Sequence, residues 1–336
     1  MDHVITDICI IGAGPVGLFA VFEAGLLKMR CHLIDVLPQV GGQLSEIYPQ
    51  KPIYDIPGYP VINAQELVNN LMEQAAPFNP GFTLGERVDE LQKLPDGSFI
   101  IRTSDNTVVE AKAVVIAGGL GCFEPRKPVI EKLELFEGRG VAYMIKDPEL
   151  FRSKKVVLSG GGDSALDWAI FLADVAEEVT LVHRAETFRG APDSAEKVFE
   201  LAKLGRINLI LQAQVSTLVG DERLSGVIIT DKNNEKLITD ADFFIPLFGL
   251  TPKLGPIADW NLNIDKAAIE VNTFDYSTNV EGIYAIGDIN TYPGKLKLIL
   301  SGFHEAALMA QSAFKYVYPD QKLSFKYTTV YGVNAF

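Results

Sequence analysis

Two glycine-rich turns carry the first chemistry legible in this chain. One, Gly12-Ala13-Gly14-Pro15-Val16-Gly17, follows the apolar run Asp7-Ile8-Cys9-Ile10-Ile11. The other, Gly160-Gly161-Gly162-Asp163-Ser164-Ala165, follows Val156-Val157-Leu158-Ser159. After each turn comes an apolar helical stretch and then a second buried strand, Cys31-His32-Leu33-Ile34-Asp35 or Val179-Thr180-Leu181-Val182-His183-Arg184. In such a unit the first glycine permits the tight turn and the second lets a pyrophosphate approach the backbone. The third position lets helix and strand pack closely, a place that the small Ala165 can also fill. The helix start offers unpaired N–H groups and a positive dipole end to the phosphates.

The two units differ where they meet the ribose. Asp35 lies 21 residues after Gly14, where a carboxylate accepts hydrogen bonds from ribose hydroxyls. His183 lies 21 residues after Gly162, and Arg184 and Arg189 follow it in place of an acid. Guanidinium groups there bind a ribose 2′-phosphate that a carboxylate would repel. Gly12, Gly14, Gly17 and Asp35 are therefore expected to hold FAD or NAD. Gly160, Gly162, Asp163, Ser164, Ala165, His183, Arg184 and Arg189 are expected to hold NADP. An FAD–NADPH pair is chemically coherent, because hydride passes from nicotinamide to flavin.

These turns fix the organisation of the 336 residues, more than one domain of ~100–200 residues usually contains. Between the units, runs such as Ser98-Phe99-Ile100-Ile101-Arg102-Thr103 predict antiparallel strands, and Ala113-Val114-Val115-Ile116-Ala117 predicts a buried strand before Gly118 and Gly119. Later come a strand near Phe243-Phe244-Ile245-Pro246-Leu247-Phe248, another at 282–288, a helix from about Gly302 to Tyr316, and a polar, aromatic tail at 319–336. The expected fold is α/β, with two Rossmann-like three-layer nucleotide-binding domains, one inserted in the other. Residues 1–119 and 250–336 form the FAD-binding domain with a C-terminal flavin-covering tail, and 120–249 the NADP-binding domain. The two crossings are hinge candidates.

Composition narrows the rest. Hydrophobic residues make up 48%, an ordinary soluble globular composition, and the net charge of −13 disfavours nucleic acid as the main partner. No stretch approaches the ~20 apolar residues of a membrane helix, and Met1-Asp2-His3-Val4 lacks a basic leader, so a cytoplasmic location is expected. The three cysteines, Cys9, Cys31 and Cys122, form no Cys-x-x-Cys pair, which argues against a metal site, a disulfide framework or a redox dithiol.

Taken jointly, the motifs resemble the low-molecular-weight thioredoxin reductases. They comprise both glycine turns, Gly41-Gly42-Gln43-Leu44, His183-Arg184-x-x-x-Phe188-Arg189 and Thr278-Asn279-x-x-Gly282-x-Tyr284-Ala285-x-Gly287-Asp288. Those reductases carry a Cys-x-x-Cys where this chain reads Ala142-Tyr143-Met144-Ile145-Lys146-Asp147, so electrons have no dithiol through which to leave. A sister family without the dithiol, the ferredoxin–NADP reductases of thioredoxin reductase-like type, is the nearer resemblance. It extends through Ser45-Glu46-Ile47-Tyr48-Pro49, Phe123-Glu124-Pro125-Arg126-Lys127 and the tail containing Tyr327-Thr328-Thr329.

That resemblance implies roles for individual positions. Asp35 would hold the FAD ribose, Gln43 would contact the cofactor, and Tyr48 would stack on one flavin face. Val88 would enclose the adenine through its backbone, Phe123 would lie near the flavin, Asp288 would accept from the ribityl chain, and Thr329 would contact the flavin. Tyr327 would stack on the other face, with Phe336 also covering it from the second subunit of a homodimer. No acid–base dyad is expected. Hydride would enter FAD from NADPH, and single electrons would leave to ferredoxin or flavodoxin. Docking of an acidic carrier would need local cations, for which Arg126, Lys127, Lys146, Lys154, Lys155, Lys295 and Lys297 are candidates. The competing readings are a thioredoxin-type disulfide reductase, disfavoured by the missing dithiol, and an FAD/NADPH-binding redox sensor without specific turnover.

Overall fold

The computed structural model describes residues 3–121, 124–251, 253–323 and 332–333. The chain divides into two compact units. One comprises Met1–Cys122 with Pro252–Phe336, and the other is Phe123–Thr251, so the second interrupts the first in sequence.

The first unit is built on alternation. Ile8, Ile10, Leu33, Ala113 and Val115 belong to one buried cluster, and Cys9, Ile11, Ile34, Val114 and Ile116 to another. Successive residues of a strand point to opposite faces, so both faces of this sheet are covered, as parallel strands require. The hydrogen-bonded order is Gly81–Leu84, Cys31–Asp35, His3–Ile11, Val108–Ile116, Phe99–Thr103 and Val88–Lys93. The strand Val108–Ile116 pairs with His3–Ile11 along one edge and serves two neighbours along the other. Its first half pairs antiparallel with Phe99–Thr103, and Val114, Val115 and Ile116 pair in parallel with Ile283–Ala285. The sheet thus forks into a parallel part, which carries the first glycine turn, and an antiparallel meander.

Helices Pro15–Leu26, Ala64–Ala75 and Ile299–Val317 cover one face. The last of these buries Gly302, Ala306, Met309, Ala310, Ala313 and Val317, a stripe at three- and four-residue spacing that faces the core. It begins at Ile299, three residues before the sequence-based start at Gly302. Gly302 is not a boundary but a crossing point. A methyl group there would sit 2.4 Å from Cγ2 of Val16, so only glycine lets the two helices approach this closely.

In the second unit a parallel sheet runs Asn208–Leu211, Glu178–His183, Lys155–Ser159, Phe243–Pro246. The helices Asp163–Leu172 and Pro192–Lys203 pack together and against this sheet. The antiparallel strands Ala213–Gly220, Leu224–Asp231 and Lys236–Asp240 form a second sheet. Val157, Val182 and Phe244 of the parallel sheet join Val215, Leu218, Val227 and Ile229 in one buried cluster, which completes a second layered unit.

The candidate nucleotide sites

Both glycine turns sit at the carboxyl ends of parallel strands, and the same two hydrogen bonds build each. Gly12 N–H donates to Ile34 O at 2.8 Å and Ala117 N–H to Ile11 O at 2.8 Å. Gly160 N–H donates to Val182 O at 3.1 Å and Leu247 N–H to Ser159 O at 2.8 Å. Gly12 has φ +111°, and a methyl there would lie 2.4 Å from Ala117 O; at Gly17 it would lie 2.1 Å from Gly12 O. Gly14 and Gly162 are different, because a methyl on either would meet nothing within 4 Å. Their bareness serves no internal packing and leaves the backbone at each helix start open to an approaching group.

The position 21 residues downstream acts in both units on the residue between the first two glycines, with opposite chemistry. Asp35 accepts from Ala13 N–H at 2.6 Å and from Leu37 N–H at 2.9 Å, which fixes its carboxylate across the turn. Burial raises its pKa and the two amides oppose that rise. In the second unit the His183 ring stands against Gly161, where a methyl would be 2.1 Å from Cε1. His183 is buried, stacks on Phe188 at 5.3 Å, and its Nε2 lies 3.1 Å from Thr187 O. Burial lowers its pKa, as do the Arg189 and Arg184 charges, against the Thr187 contact. An enclosed imidazole set against Gly161 supports the backbone of the turn. It is the floor of the turn.

The loop 184–191 lies across that floor. Gly161 O accepts from Arg189 N–H at 2.7 Å and Gly190 N–H at 3.2 Å, and Asp163 Oδ1 accepts from Ala191 N–H at 2.7 Å. Asp163 therefore faces the loop. Ser164, Arg184 and Arg189 are exposed. Neither guanidinium is in an ion pair among the described residues. Ala165 is fully buried beneath Gly160, whose added methyl would be 2.8 Å from the Ala165 Cβ.

In the first unit further segments gather around Gly14. Gly41 N–H donates to Ala13 O at 2.8 Å, and a methyl on Gly42 would lie 3.2 Å from Gly14 Cα. Gln43 follows, with its Nε2 3.5 Å from where a methyl on Gly119 would be. Gly287 has φ +77°, and a methyl there would meet Val16 at 3.5 Å. The next residue, Asp288, is partly buried, and among the described residues its carboxylate accepts no hydrogen bond. Burial raises its pKa, while Lys295 and Lys297 pull it down. Tyr48 is half-buried against the helical core, and its hydroxyl is pushed up to about 12 by burial and by the Asp288 charge. Val88 is buried and its backbone pairs with Thr103. Phe123, Tyr327, Thr329 and Phe336 lie outside the described residues.

Glu305 was missed in the sequence. It is fully buried on the helix Ile299–Val317. It accepts from Gly287 N–H at 2.7 Å, Asn290 Nδ2 at 2.8 Å, the Tyr292 hydroxyl at 2.9 Å and Lys295 Nζ. Lys295 Nζ also donates to Gly287 O at 2.9 Å. The signal was present, since an acid three residues after Gly302 and one before Ala306 falls on the apolar stripe. The same network corrects the view of Lys295 as a docking cation, because its side chain is 6% exposed. Lys127 pairs with Glu137 at 2.7 Å and Lys155 with Asp240 at 2.9 Å, whereas Arg126, Lys154 and Lys297 are exposed and in no ion pair among the described residues.

Thiol chemistry has no foothold at either cysteine among the described residues. Cys9 and Cys31 are buried; burial pushes the Cys9 thiol up to about 12 and the Cys31 thiol higher still. A thiol held protonated is neither nucleophile nor metal ligand.

Comparison with known proteins agrees with this architecture. Residues 6–310 match the model of the pyridine nucleotide-disulphide oxidoreductase family. The chain is 64% identical over 334 residues to "Ferredoxin--NADP reductase 1" of Christiangramia forsetii, covering 98% of this chain and 95% of that protein. To the "Ferredoxin--NADP reductase" of Flavobacterium johnsoniae it is 60% identical, with 98% and 95% covered. Among solved structures, T. acidophilum thioredoxin reductase superposes with a TM-score of 0.80 at 26% identity, over 93% of this chain and 98% of that one.

Proposed function

Because this chain belongs to the pyridine nucleotide-disulphide oxidoreductase family, and within it to the ferredoxin–NADP reductases, we propose that it is an FAD-dependent enzyme moving electrons between NADP(H) and a ferredoxin or flavodoxin. The observation that carries this reading is the asymmetry of the two turns. One crosses its phosphate approach with a fixed carboxylate, Asp35, and the other with a buried imidazole and two exposed arginines that are in no ion pair among the described residues.

The residues of the first unit fit FAD. The open backbone at Gly14 suits a pyrophosphate, and the Asp288 carboxylate, which accepts no hydrogen bond among the described residues, suits a hydroxyl donor. Bound FAD supplies an acceptor for a hydride and a donor of single electrons. In this reading Gly12, Gly14, Gly17, Asp35, Gln43, Val88 and Asp288 hold it, and Tyr48 provides an aromatic surface that excludes water. The same reading assigns Phe123 and the tail residues Tyr327, Thr329 and Phe336, which lie outside the described residues, to that cover. Gly160, Gly162, Ser164, Arg184 and Arg189 hold NADP(H), with Asp163, Ala165 and His183 shaping the turn beneath. The chain's part is to position, shield and tune; no side chain need move a proton.

The dithiol of a disulfide reductase is absent from the sequence, and Cys9 and Cys31 are buried, which supports the ferredoxin reading over the disulfide one. Among the described residues no helix is long and apolar enough to cross a membrane. A cytoplasmic homodimer is the assembly in this reading, testable by the sedimentation mass of the purified protein.

The deciding experiment is NADPH-driven cytochrome c reduction by the purified holoenzyme, with and without ferredoxin. A rate that rises and saturates with ferredoxin is expected. A rate indifferent to ferredoxin and to flavodoxin, while NADPH still bleaches the flavin, would overturn the carrier assignment.

A further inference from the structure

Asp163 is out of place for a residue at the start of a phosphate-binding helix. It is the first residue of the helix Asp163–Leu172, directly after the open Gly162. A negative charge there suits the helix dipole but opposes an anionic ligand at the same end. Its hydrogen bond shows what it does instead. Oδ1 accepts from Ala191 N–H at 2.7 Å, reaching 28 residues along the chain. The contact is close-fitted, since a methyl on Gly190 would lie 3.0 Å from both Asp163 N and Oδ1, and 2.7 Å from Leu166 Cδ1.

The residue so tied ends a loop with two other fixed points. Arg189 and Gly190 donate to Gly161 O, and Thr187 O meets the His183 ring. Arg184 and Arg189 project from this loop exposed and without ion-pair partners among the described residues. A long, mobile cation selects between ligands only as far as its backbone is held, because ordering it costs side-chain entropy at the moment of binding.

We infer that Asp163 is a positioning residue for dinucleotide selectivity: its carboxylate clasps residues 189–191 to the pyrophosphate turn and so holds the two arginines where a ribose 2′-phosphate is read. The inference rests on the reading of this unit as the NADP(H)-binding one. The clasp needs an acceptor, not a charge. An amide at this position keeps the hydrogen bond, and a methyl removes it.

The test is a calorimetric titration of holoenzyme with 2′,5′-ADP and with 5′-AMP, whose affinity ratio isolates the 2′-phosphate. Asp163→Ala should lower that ratio by about tenfold, the size expected from losing one hydrogen bond. Asp163→Asn should keep it within about twofold of the parent, and its flavin spectrum and melting point report that the variant is folded. Equal weakening of both nucleotides in Asp163→Ala, or loss of the ratio in Asp163→Asn, would overturn the clasp. The double variant Arg184→Ala/Arg189→Ala separates the two levels. If it loses the ratio while Asp163→Ala retains it, the clasp alone is wrong. If neither the parent nor this variant favours 2′,5′-ADP, the reading of the unit is wrong as well.

Discussion

Lys295 and Glu305 form an ion pair sealed inside the first unit, with side-chain exposures of 6% and 1%, and between them they hold the N–H and the carbonyl of a single residue, Gly287. Glu305 takes the Gly287 N–H and Lys295 gives to its carbonyl, so the turn that presents Asp288 is clamped from below. Tyr292 adds its hydroxyl to Glu305 and its ring to Lys295, 5.3 Å away. Removing one partner of such a pair leaves a buried charge uncompensated, at a cost of about 3–5 kcal/mol. Glu305→Ala and Lys295→Ala should each lower unfolding stability by that order and release FAD more readily, as followed by urea denaturation and flavin fluorescence. The double replacement Lys295→Met/Glu305→Leu should recover most of the stability but not the FAD affinity, because Gly287 and Asp288 lose their clamp.

The glycines of the first turn divide into two classes that one substitution each can separate. Gly12→Ala places a side chain at φ +111°, 2.4 Å from a backbone oxygen, and should disrupt the turn and hence folding. Gly14→Ala meets no protein atom within 4 Å, so the fold should survive while the cofactor's approach is blocked. The expected result is a soluble Gly14→Ala protein of near-parental circular dichroism purified colourless, and a Gly12→Ala protein recovered poorly or unfolded.

The parts of the site legible in the sequence are those whose determinants are local or at fixed spacing. Gly12 to Gly17 and Asp35 belong to one strand–turn–helix–strand, so their spacing carried their geometry. The role of His183 was illegible, because a side chain at the correct offset looks the same whether it faces a ligand or the underside of Gly161. Only the absence of a Cβ at Gly161, matched to the ring's bulk, distinguishes the two, and that is a tertiary fact. Lys295 read as a surface cation for the same reason. Its partner Glu305 is on the helix that follows, and neither residue's burial is visible without the fold. The start of that helix was misread because glycine is a poor helix former, whereas Gly302 is retained inside it for contact with Val16.

Acid sensitivity should centre on Asp7. Burial would raise its carboxyl, but the Arg30 amide at 2.9 Å and the Lys112 ammonium at 3.0 Å outweigh burial and hold it below the usual carboxylate range. A depressed folded-state pKa means that the stabilisation is present above the unfolded value of about 4 and is lost as pH falls through the folded value. Asp7→Asn should therefore be less stable than the parent at pH 7, by about 1–3 kcal/mol. That gap should close progressively below pH ~4. Paired denaturant titrations across this range check it, and a gap that widens on acidification would contradict the assignment.

Carrier docking should depend on fewer cations than the sequence offers. Lys295 is excluded by burial, and Lys127 and Lys155 are already paired with Glu137 and Asp240. Lys297 remains exposed, and its charge reaches Asp288, which sets it beside the proposed flavin turn; Leu296 and Leu298 flank it with exposed apolar surface. On a chain of net charge −13 a local cation there acts against the overall field, so its effect falls mainly on encounter with an anionic carrier. Lys297→Glu should raise the KM for ferredoxin by roughly three- to tenfold and flatten the dependence of that rate on ionic strength. Reduction of a small uncharged quinone by NADPH in the same variant serves as the control, since it needs neither a docked orientation nor a local cation. If both reactions slow in proportion, Lys297 acts on the flavin turn through Asp288; if only the ferredoxin reaction slows, the surface around Lys297 is where the carrier binds.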